Sequence, residues 1–261
     1  MTFYEKILLE LEHAPQSLST VYDYAFRFQN EALFEWDENG IIHSITYGAA
    51  KTRIESASAA LAVLLADYPK GSPVGIYLPN GIDWVISFWS ILRSGYRPLL
   101  LNTNAPTDAV ESCLLESGAH YLLSEKEFSP SVRILPSRIQ GSSDLKQFDP
   151  IWADEIILCT SGTTGKPKGA MLTHGNWLAA IHNECDVLTL KQDDVYLGIY
   201  PMGHVGLSWG IAAMRAGALY VMMERYEPTR YLELCKKFGV TVLAGMPPVI
   251  HSLTEAPENS G

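Results

Sequence analysis

The sequence predicts an α/β fold in which helices are layered around largely parallel sheets. Through most of the 261 residues, short aliphatic runs bounded by turn formers alternate with longer stretches whose apolar residues recur at helical spacing. The joints between these stretches are short, which favours parallel strands joined by right-handed crossovers. Hydrophobic residues make up 47% of the chain, so a sizeable core can form.

The N-terminal part of the chain begins with short helices and a β-hairpin. An alanine-rich helix and a β-α-β unit follow, each bounded by glycine or proline. In order, the predicted elements are short helices within 3–30 broken near Pro15, strands at 32–36 and 41–47 around a turn at 37–40, a helix at 48–65, a strand within 71–80, a helix at 84–92 and a strand at 97–102.

The remaining part of the chain continues this alternation, with one polar interruption. Residues 125–152 predict either a surface connection between units or a long loop with one embedded strand at 132–135. The other predicted elements are a helix at 107–119, a strand at 121–124, strands at 156–159 and 170–172, a helix at 175–186 capped by Thr173, a strand at 195–200, a helix at 207–216, a strand at 218–223, a helix at 228–237, and a strand at 240–244 that ends in a Gly-Met-Pro-Pro turn.

This order of elements divides the chain into three predicted units. Residues 1–47 form helices and a hairpin that pack with the second subdomain, residues 48–190 form a first α/β subdomain, and residues 191–261 form a second α/β subdomain that is incomplete at its C-terminal end. Ligands of open α/β sheets bind outside the carboxyl ends of the strands. We therefore expect the loops that follow the strands at 156–159, 195–200 and 240–244 to share one cleft.

Composition excludes several classes of function. The formal charge is 19 − 29 = −10, which argues against non-specific binding to nucleic acid or to an anionic membrane. The N-terminus lacks the pattern of a signal peptide, and no apolar run approaches the ~20 residues of a membrane span. The four cysteines are widely spaced, form no zinc pattern and predict core thiols of a cytoplasmic protein: Cys113, Cys159, Cys185 and Cys235.

The stretch 160–169 carries the strongest chemical signal. It contains four hydroxyl side chains, three glycines and two lysines in ten residues. Glycines let the backbone curl and expose N–H groups, which together with hydroxyls make a concavity for anions. A flexible linker does not explain Pro167, Lys168 and Gly169 at a fixed offset. A Walker loop fails, because Pro167 follows Lys166 and position 160 is not glycine.

Residues 160–169 match the pattern Thr-Ser-Gly-(Ser/Thr)-Thr-Gly-x-Pro-Lys-Gly at every specified position. The chain therefore resembles the adenylate-forming superfamily of acyl-CoA synthetases, peptide-synthetase adenylation domains and luciferases. The resemblance implies the layered α-β-α N-terminal domain of these enzymes, with the loop holding the β- and γ-phosphates of ATP and the leaving pyrophosphate. The residues implied in nucleotide binding are Thr160, Ser161, Gly162, Thr163, Thr164, Gly165 and Lys168.

A second motif places a histidine beyond this loop. Pro201-Met202-Gly203-His204 is similar to the family pattern Pro-x-(aromatic)-His, which implies that His204 borders the acyl and phosphate sites and is catalytic. Two residues depart from the family pattern: Gly203 and Cys159 each stand where an aromatic residue is common. Trp209 is either a lining residue of an acyl pocket or a core aromatic residue.

The resemblance also implies a reaction. The family's downstream motifs, including a magnesium-binding Glu and a C-terminal catalytic Lys, are absent from the 261 residues, so we expect an N-terminal portion that is inactive alone. The parent is expected to be an acid–thiol ligase that uses ATP and Mg²⁺. It activates a small carboxylic acid as an acyl-adenylate and passes the acyl group to coenzyme A or to the phosphopantetheine of a carrier protein. The chain itself supplies no predicted metal ligand. The alternative is a non-catalytic binding or scaffold module that retains the fold.

Overall fold

The computed structural model describes residues 17–29, 32–38, 41–129, 131–139, 149–160, 168–187, 189–204, 206–243 and 245–255. Over these ranges the strands form two sheets, and the predicted α/β class is confirmed. The larger, six-stranded sheet has the order β6-β5-β3-β4-β7-β8. Its strands are β3 (Pro73–Tyr77), β4 (Arg97–Leu100), β5 (Tyr121–Ser124), β6 (Arg133–Leu135), β7 (Glu155–Thr160) and β8 (Lys168–Thr173). All neighbours are parallel except β7 and β8, which are antiparallel because they form a hairpin.

The five-stranded sheet combines the N-terminal hairpin with strands from the last third of the chain. Its order is β11-β9-β10-β1-β2, parallel from β11 through β1, with β2 antiparallel at the edge. The strands are β1 (Ala32–Glu38), β2 (Ile41–Thr46), β9 (Val195–Gly198), β10 (Leu219–Met223) and β11 (Val242–Leu243). The parallel pairing of β1 with β10 ties the start of the chain to its last third, while the division into three units stays a prediction.

Eight helices surround and separate the sheets within the described ranges. They are α1 (Leu18–Ala25), α2 (Tyr47–Leu64), α3 (Ile82–Arg93), α4 (Thr107–Ser117), α5 (His174–Val187), α6 (Gly206–Ala216), α7 (Pro228–Phe238) and α8 (Pro247–Thr254). Local chemistry fixes several of their ends. Thr46 Oγ1 accepts a hydrogen bond from Ala49 N at 3.2 Å and begins α2. Glycine in the left-handed region ends α4 at Gly118 and α7 at Gly239, where a side chain would be strained.

The central strands of each sheet bury both faces, which produces a stack of layers. In β10, Tyr220 and Met222 join the largest apolar cluster between the sheets, whereas Val221 and Met223 join a cluster beneath α7 and α8. In the six-stranded sheet, α2 and α3 contribute to the central cluster, and α4 covers the opposite face. The order of layers is therefore helix, sheet, helix, sheet, helix.

Several boundaries differ from the sequence-based expectation. The predicted turn after β11 continues into the helix α8, because Pro247 and Pro248 occupy first-turn positions where a missing N–H costs nothing. Of the predicted strand at 240–244, the described residues 242–243 form β11 and pair with β9, Thr241 N donates to Val195 O at 3.0 Å, and residue 244 lies outside the described residues. The predicted helices within residues 3–16 and the turn at 39–40 lie outside the described residues. None of the described helices has the length and apolarity needed to cross a bilayer.

The expectation of four core thiols is wrong for two cysteines. Cys113 of α4 and Cys159 of β7 form a disulfide with a Cα–Cα distance of 6.6 Å, which lies within the range of disulfides. They are 46 residues apart in sequence, and only the packing of α4 onto the six-stranded sheet brings them together. Cys185 and Cys235 remain thiols, and the Cys185 thiol donates a hydrogen bond to Ala212 O at 3.4 Å.

Candidate active site

The two ends of the predicted phosphate loop meet at the hairpin of β7 and β8. Thr160 and Lys168 are paired across the antiparallel ladder, and Thr160 Oγ1 donates a hydrogen bond to Lys168 O at 3.2 Å. Lys168 is exposed. The structure therefore fixes where the loop leaves and re-enters the sheet. The predicted site residues between these two positions lie outside the described residues: Ser161, Gly162, Thr163, Thr164 and Gly165.

His204 lies on a tight turn that follows β9. Its backbone N–H donates to Pro201 O at 3.0 Å, and Gly206 N donates to the same carbonyl at 3.1 Å, so the turn closes just before α6 begins. The His204 side chain is exposed. The turn comes from the five-stranded sheet, whereas Thr160 and Lys168 belong to the six-stranded sheet.

Close approach of backbones explains Gly203. A Cβ added at Gly203 would lie 2.5 Å from Leu101 O and 3.0 Å from Leu101 C, closer than real Cβ contacts. Leu101 directly follows β4 of the six-stranded sheet, and its backbone cannot move aside as a side-chain tip could. The aromatic residue common in the family pattern therefore does not fit here, and glycine lets the two loops touch.

Asn80 joins the two sheets at their carboxyl ends. It follows β3, and its Nδ2 donates to Tyr200 O at 3.0 Å and to Met223 O at 3.3 Å. Its Oδ1 accepts from Met202 N at 2.8 Å, within the turn that carries His204. One amide group thus holds the ends of β9 and β10 against the end of β3. Together with the contact at Gly203, this amide sets the position of the turn relative to the six-stranded sheet.

Thr160 and His204 line the same cavity, whose volume is about 460 Å³. This is within the range of small-molecule sites. The cavity lies at the carboxyl ends of β4 and β7, and Asn102, Asn104 and the first turns of α4 complete its wall. Its lining residues are Leu101, Asn102, Asn104, Ala105, Pro106, Ala109, Val110, Cys159, Thr160 and His204.

The cavity combines an apolar wall with a few polar groups. Ala105, Pro106 and Ala109 are among its apolar lining residues, and Thr160 and His204 are among its polar ones. Such a site can hold a ligand with an apolar part and an anionic or polar end. Among the residues that the structure describes, no group of three or more His, Cys, Asp or Glu is placed to hold a metal ion.

Sequence reasoning missed the contributions of Asn80, Asn102, Asn104 and Ala109. The signal that could have found Asn102 and Asn104 is their place directly after β4, at the same sheet edge as Thr160. Asn80 has the same kind of signal, since it follows β3. Trp209 is stacked on Tyr196 with ring centroids 6.2 Å apart and is not among the lining residues. Met246, in the turn predicted to share the cleft, is not a lining residue either, and its N donates to the Tyr200 hydroxyl at 2.8 Å.

A partly buried carboxyl lies behind the His204 turn. Glu184 of α5 accepts a hydrogen bond from Ser208 Oγ of α6 at 2.7 Å. Burial raises the pKa of Glu184 to about 7, and the hydrogen bond from Ser208 offsets part of this effect. The carboxyl therefore changes charge near neutral pH at the contact between α5 and α6.

The fold and the signature loop define a domain of the adenylate-forming class. The chain belongs to the AMP-binding enzyme family, whose model matches residues 25–260. It is 28% identical over 213 residues to 4-coumarate–CoA ligase 5 of Oryza sativa subsp. japonica, a match that covers 71% of this chain and 40% of that protein. It is also 28% identical over 219 residues to 2-succinylbenzoate–CoA ligase of Bacillus cytotoxicus, covering 81% and 45%. The chain thus spans less than half the length of these curated relatives.

Solved structures share the fold. The o-succinylbenzoate CoA synthetase of Bacillus subtilis, in complex with the acyl-adenylate intermediate OSB-AMP, superposes with a TM-score of 0.78 at 22% identity, covering 91% of this chain and 65% of that one. The N-terminal subdomain of Klebsiella oxytoca NpsA gives a TM-score of 0.79 at 21% identity, covering 93% and 63%. At this identity the likeness shows the fold alone.

Proposed function

We propose that the chain is the phosphate-binding and acyl-binding part of an ATP-dependent acid–thiol ligase. In the proposed reaction a carboxylate oxygen attacks the α-phosphorus of ATP, and the bond to pyrophosphate breaks. A thiol then attacks the acyl carbon of the acyl-adenylate, and AMP leaves. Coenzyme A is the favoured acceptor because the named relatives are CoA ligases, and a carrier protein is the alternative. Small carboxylic acids are the proposed substrates.

One observation carries this proposal: Thr160 and His204, from different sheets, line one cavity of about 460 Å³. Thr160 begins the loop whose hydroxyls and backbone N–H groups suit the charge that collects on departing pyrophosphate. The proposed phosphate ligands are the loop residues from Thr160 to Gly165 together with Lys168. His204 is proposed to border the reacting carboxylate and α-phosphate, where an imidazole N–H donates a hydrogen bond to a developing negative charge.

Mg²⁺ is proposed as the companion ion of ATP, where it neutralises phosphate charge. The described residues supply no cluster that would hold this ion, so no ligand is assigned to it. A cytoplasmic location and the lack of a nucleic-acid partner stay predictions, as does the inactivity of the 261 residues on their own.

The first test is calorimetric titration of the chain with pyrophosphate and with ATP. We expect Lys168→Ala to weaken pyrophosphate binding about tenfold, since a hydrogen bond to a charged group contributes about 1.5–3 kcal/mol. The matched control is Lys237→Ala, which removes one exposed positive charge on α7, in the outer layer over the five-stranded sheet. Equal binding by both variants would favour the scaffold module over the ligase.

The second test is carboxylate-dependent exchange of pyrophosphate into ATP, measured over a panel of aromatic and aliphatic acids. We expect exchange from the full-length ligase that contains this sequence and none from the 261 residues alone. Exchange by the 261 residues at the full-length rate would show the inactivity prediction to be wrong. No exchange by the full-length protein with any acid would count against the ligase.

A further inference from the structure

The disulfide of Cys113 and Cys159 lies at the wall of the cavity, and its two cysteines differ in exposure. Cys159 is partly exposed and lines the cavity, directly before Thr160. Cys113 is 1% exposed and sits in the apolar cluster between α4 and the six-stranded sheet. A molecule that enters the cavity therefore reaches Cys159 and not Cys113.

The bond connects the two walls of the cavity. Ala109 and Val110 of α4 line one wall, and Cys113 follows them by one helical turn, on the same side of the helix. Cys159 belongs to β7 and is part of the opposite wall, next to the start of the phosphate loop. The Cα atoms are 6.6 Å apart, so the bond fixes the distance between α4 and the end of β7, just before the phosphate loop.

We propose that Cys159 is a thiol-exchange site of the cavity, and that its ligands are low-molecular-weight thiols of the glutathione type. The thiolate of the small molecule attacks Cys159 Sγ, the bond to Cys113 Sγ breaks, and Cys113 leaves as a thiolate that takes up a proton. The product is a mixed disulfide on Cys159. A second small thiol then attacks the mixed disulfide and releases the Cys159 thiol, so two small thiols are oxidised to one disulfide as the protein bond is reduced. The small disulfide drives the reverse reaction.

Access decides which sulfur is attacked, since exchange needs the thiolate to approach along the line of the bond. Disulfides in reducing compartments are mostly transient and redox-sensing, and one that opens onto a ligand cavity has a route for exchange. The mixed disulfide places a bulky polar group beside Thr160 and fills part of the cavity. An effect of the adduct on phosphate binding rests on the proposed function, because it assumes that the cavity takes the triphosphate.

The test uses the whole chain, purified without reductant and equilibrated with mixtures of reduced and oxidised glutathione. Acid quenching, alkylation and peptide mass spectrometry locate each adduct. We expect a linked Cys113–Cys159 peptide without glutathione, and about tenfold more adduct on Cys159 than on Cys113 at intermediate ratios. Adduct on Cys113 at an equal level, or free alkylation of both cysteines in the unreduced protein, would overturn the proposal.

Cysteine variants test directly which of the two residues carries the glutathione adduct. In Cys113→Ala the Cys159 thiol has no partner and should carry the adduct, whereas in Cys159→Ala the buried Cys113 should carry almost none. Cys235→Ser, away from the cavity on α7, is the matched control and should leave the adduct on Cys159 unchanged. Adduct on Cys113 in the Cys159→Ala variant would show that access does not select the site.

Pyrophosphate titration separates the exchange site from its effect on binding. We expect the glutathione adduct to weaken pyrophosphate binding relative to the disulfide form, because the adduct occupies part of the cavity beside Thr160. If the adduct forms on Cys159 and binding is unchanged, the effect on the phosphate site is wrong. If neither form binds pyrophosphate, the proposed function fails, while the mass spectra still decide the exchange site.

Discussion

Replacing Asn80 tests whether one amide positions the His204 turn. Asn80→Ala removes the two hydrogen bonds to Tyr200 O and Met223 O and the one from Met202 N. Each such bond contributes about 0.5–1.5 kcal/mol net. Asn80 is half-buried, so water can form hydrogen bonds with some of the backbone groups that lose the amide. We therefore expect the free energy of unfolding to fall by about 2–3 kcal/mol.

Asn80→Asp is a second and more selective test of the same hydrogen bonds. The carboxylate still accepts from Met202 N, but it lies against the carbonyl oxygens of Tyr200 and Met223, which repel it. Repulsion raises the pKa of this carboxyl in the folded state above its unfolded value. The aspartate variant should therefore lose stability as the pH rises through these values and regain it in acid, where the protonated carboxyl can donate. The alanine variant should show no such pH dependence relative to the parent protein.

Urea unfolding followed by circular dichroism measures both effects, and pyrophosphate titration measures the effect on the site. The control is Asn183→Ala, an exposed position on α5 where alanine favours the helix and the change should stay within 0.5 kcal/mol, roughly. An Asn80→Ala protein as stable as this control would refute the reasoning. So would an Asn80→Asp protein whose stability follows the same pH curve as the alanine variant.

Three further predictions concern the surroundings of the cavity. Gly203→Ala should lower the free energy of unfolding by about 2 kcal/mol, because its Cβ meets Leu101 O. The control is Gly175→Ala on α5, whose added Cβ has its nearest neighbour at 3.6 Å and which should not destabilise the helix; equal urea midpoints for the two variants would contradict the prediction. Reducing the Cys113–Cys159 bond, which closes a loop of 46 residues, should cost about 4 kcal/mol in the chain-entropy model, and coincident urea curves with and without dithiothreitol would contradict it. Burial raises the pKa of Glu184 to about 7, so the folded state holds this proton more tightly than the unfolded state does. The free energy of unfolding should therefore fall as the pH rises from about 5 to 8. Glu184→Gln should flatten this part of the pH profile, and an unchanged profile would show that another group is responsible.

Most of the fold could be predicted because strand and helix signals are local. The hairpin of β1 and β2, the β3-α3-β4 unit and the single strand β6 in a polar connection all follow from short apolar runs and the turns that bound them. Because ligands of open α/β sheets bind outside the carboxyl ends of the strands, the loops after β7, β9 and β11 are expected to share one cleft. The structure brings Thr160 and His204 of the first two loops to one cavity, whereas Gly245 and Met246 of the third loop are not among its lining residues. Their chemical roles stay predictions.

The rest could not be predicted, because apolar periodicity says that a residue is buried but not what it contacts. Cys113 and Cys159 each lie in an apolar run, and only the packing of α4 on the sheet makes them partners. The three hydrogen bonds of Asn80 join positions more than 100 residues apart in sequence, and no local pattern encodes them. The sequence pattern does not predict the helix α8, because two consecutive prolines usually indicate a turn. Both prolines nevertheless fit the first turn of a helix.

The two departures from the family pattern have a common structural meaning. Gly203 and Cys159 both stand where an aromatic ring is common, and both make a contact with the same part of the molecule, the segment that runs from the end of β4 into α4. Gly203 touches the backbone of Leu101, and Cys159 is bonded to Cys113. Where an aromatic ring would fill space by packing alone, this chain closes the same side of the cavity with a backbone contact and a covalent bond. Because the bond joins the two walls, we expect the width of this cavity to change when the disulfide is reduced.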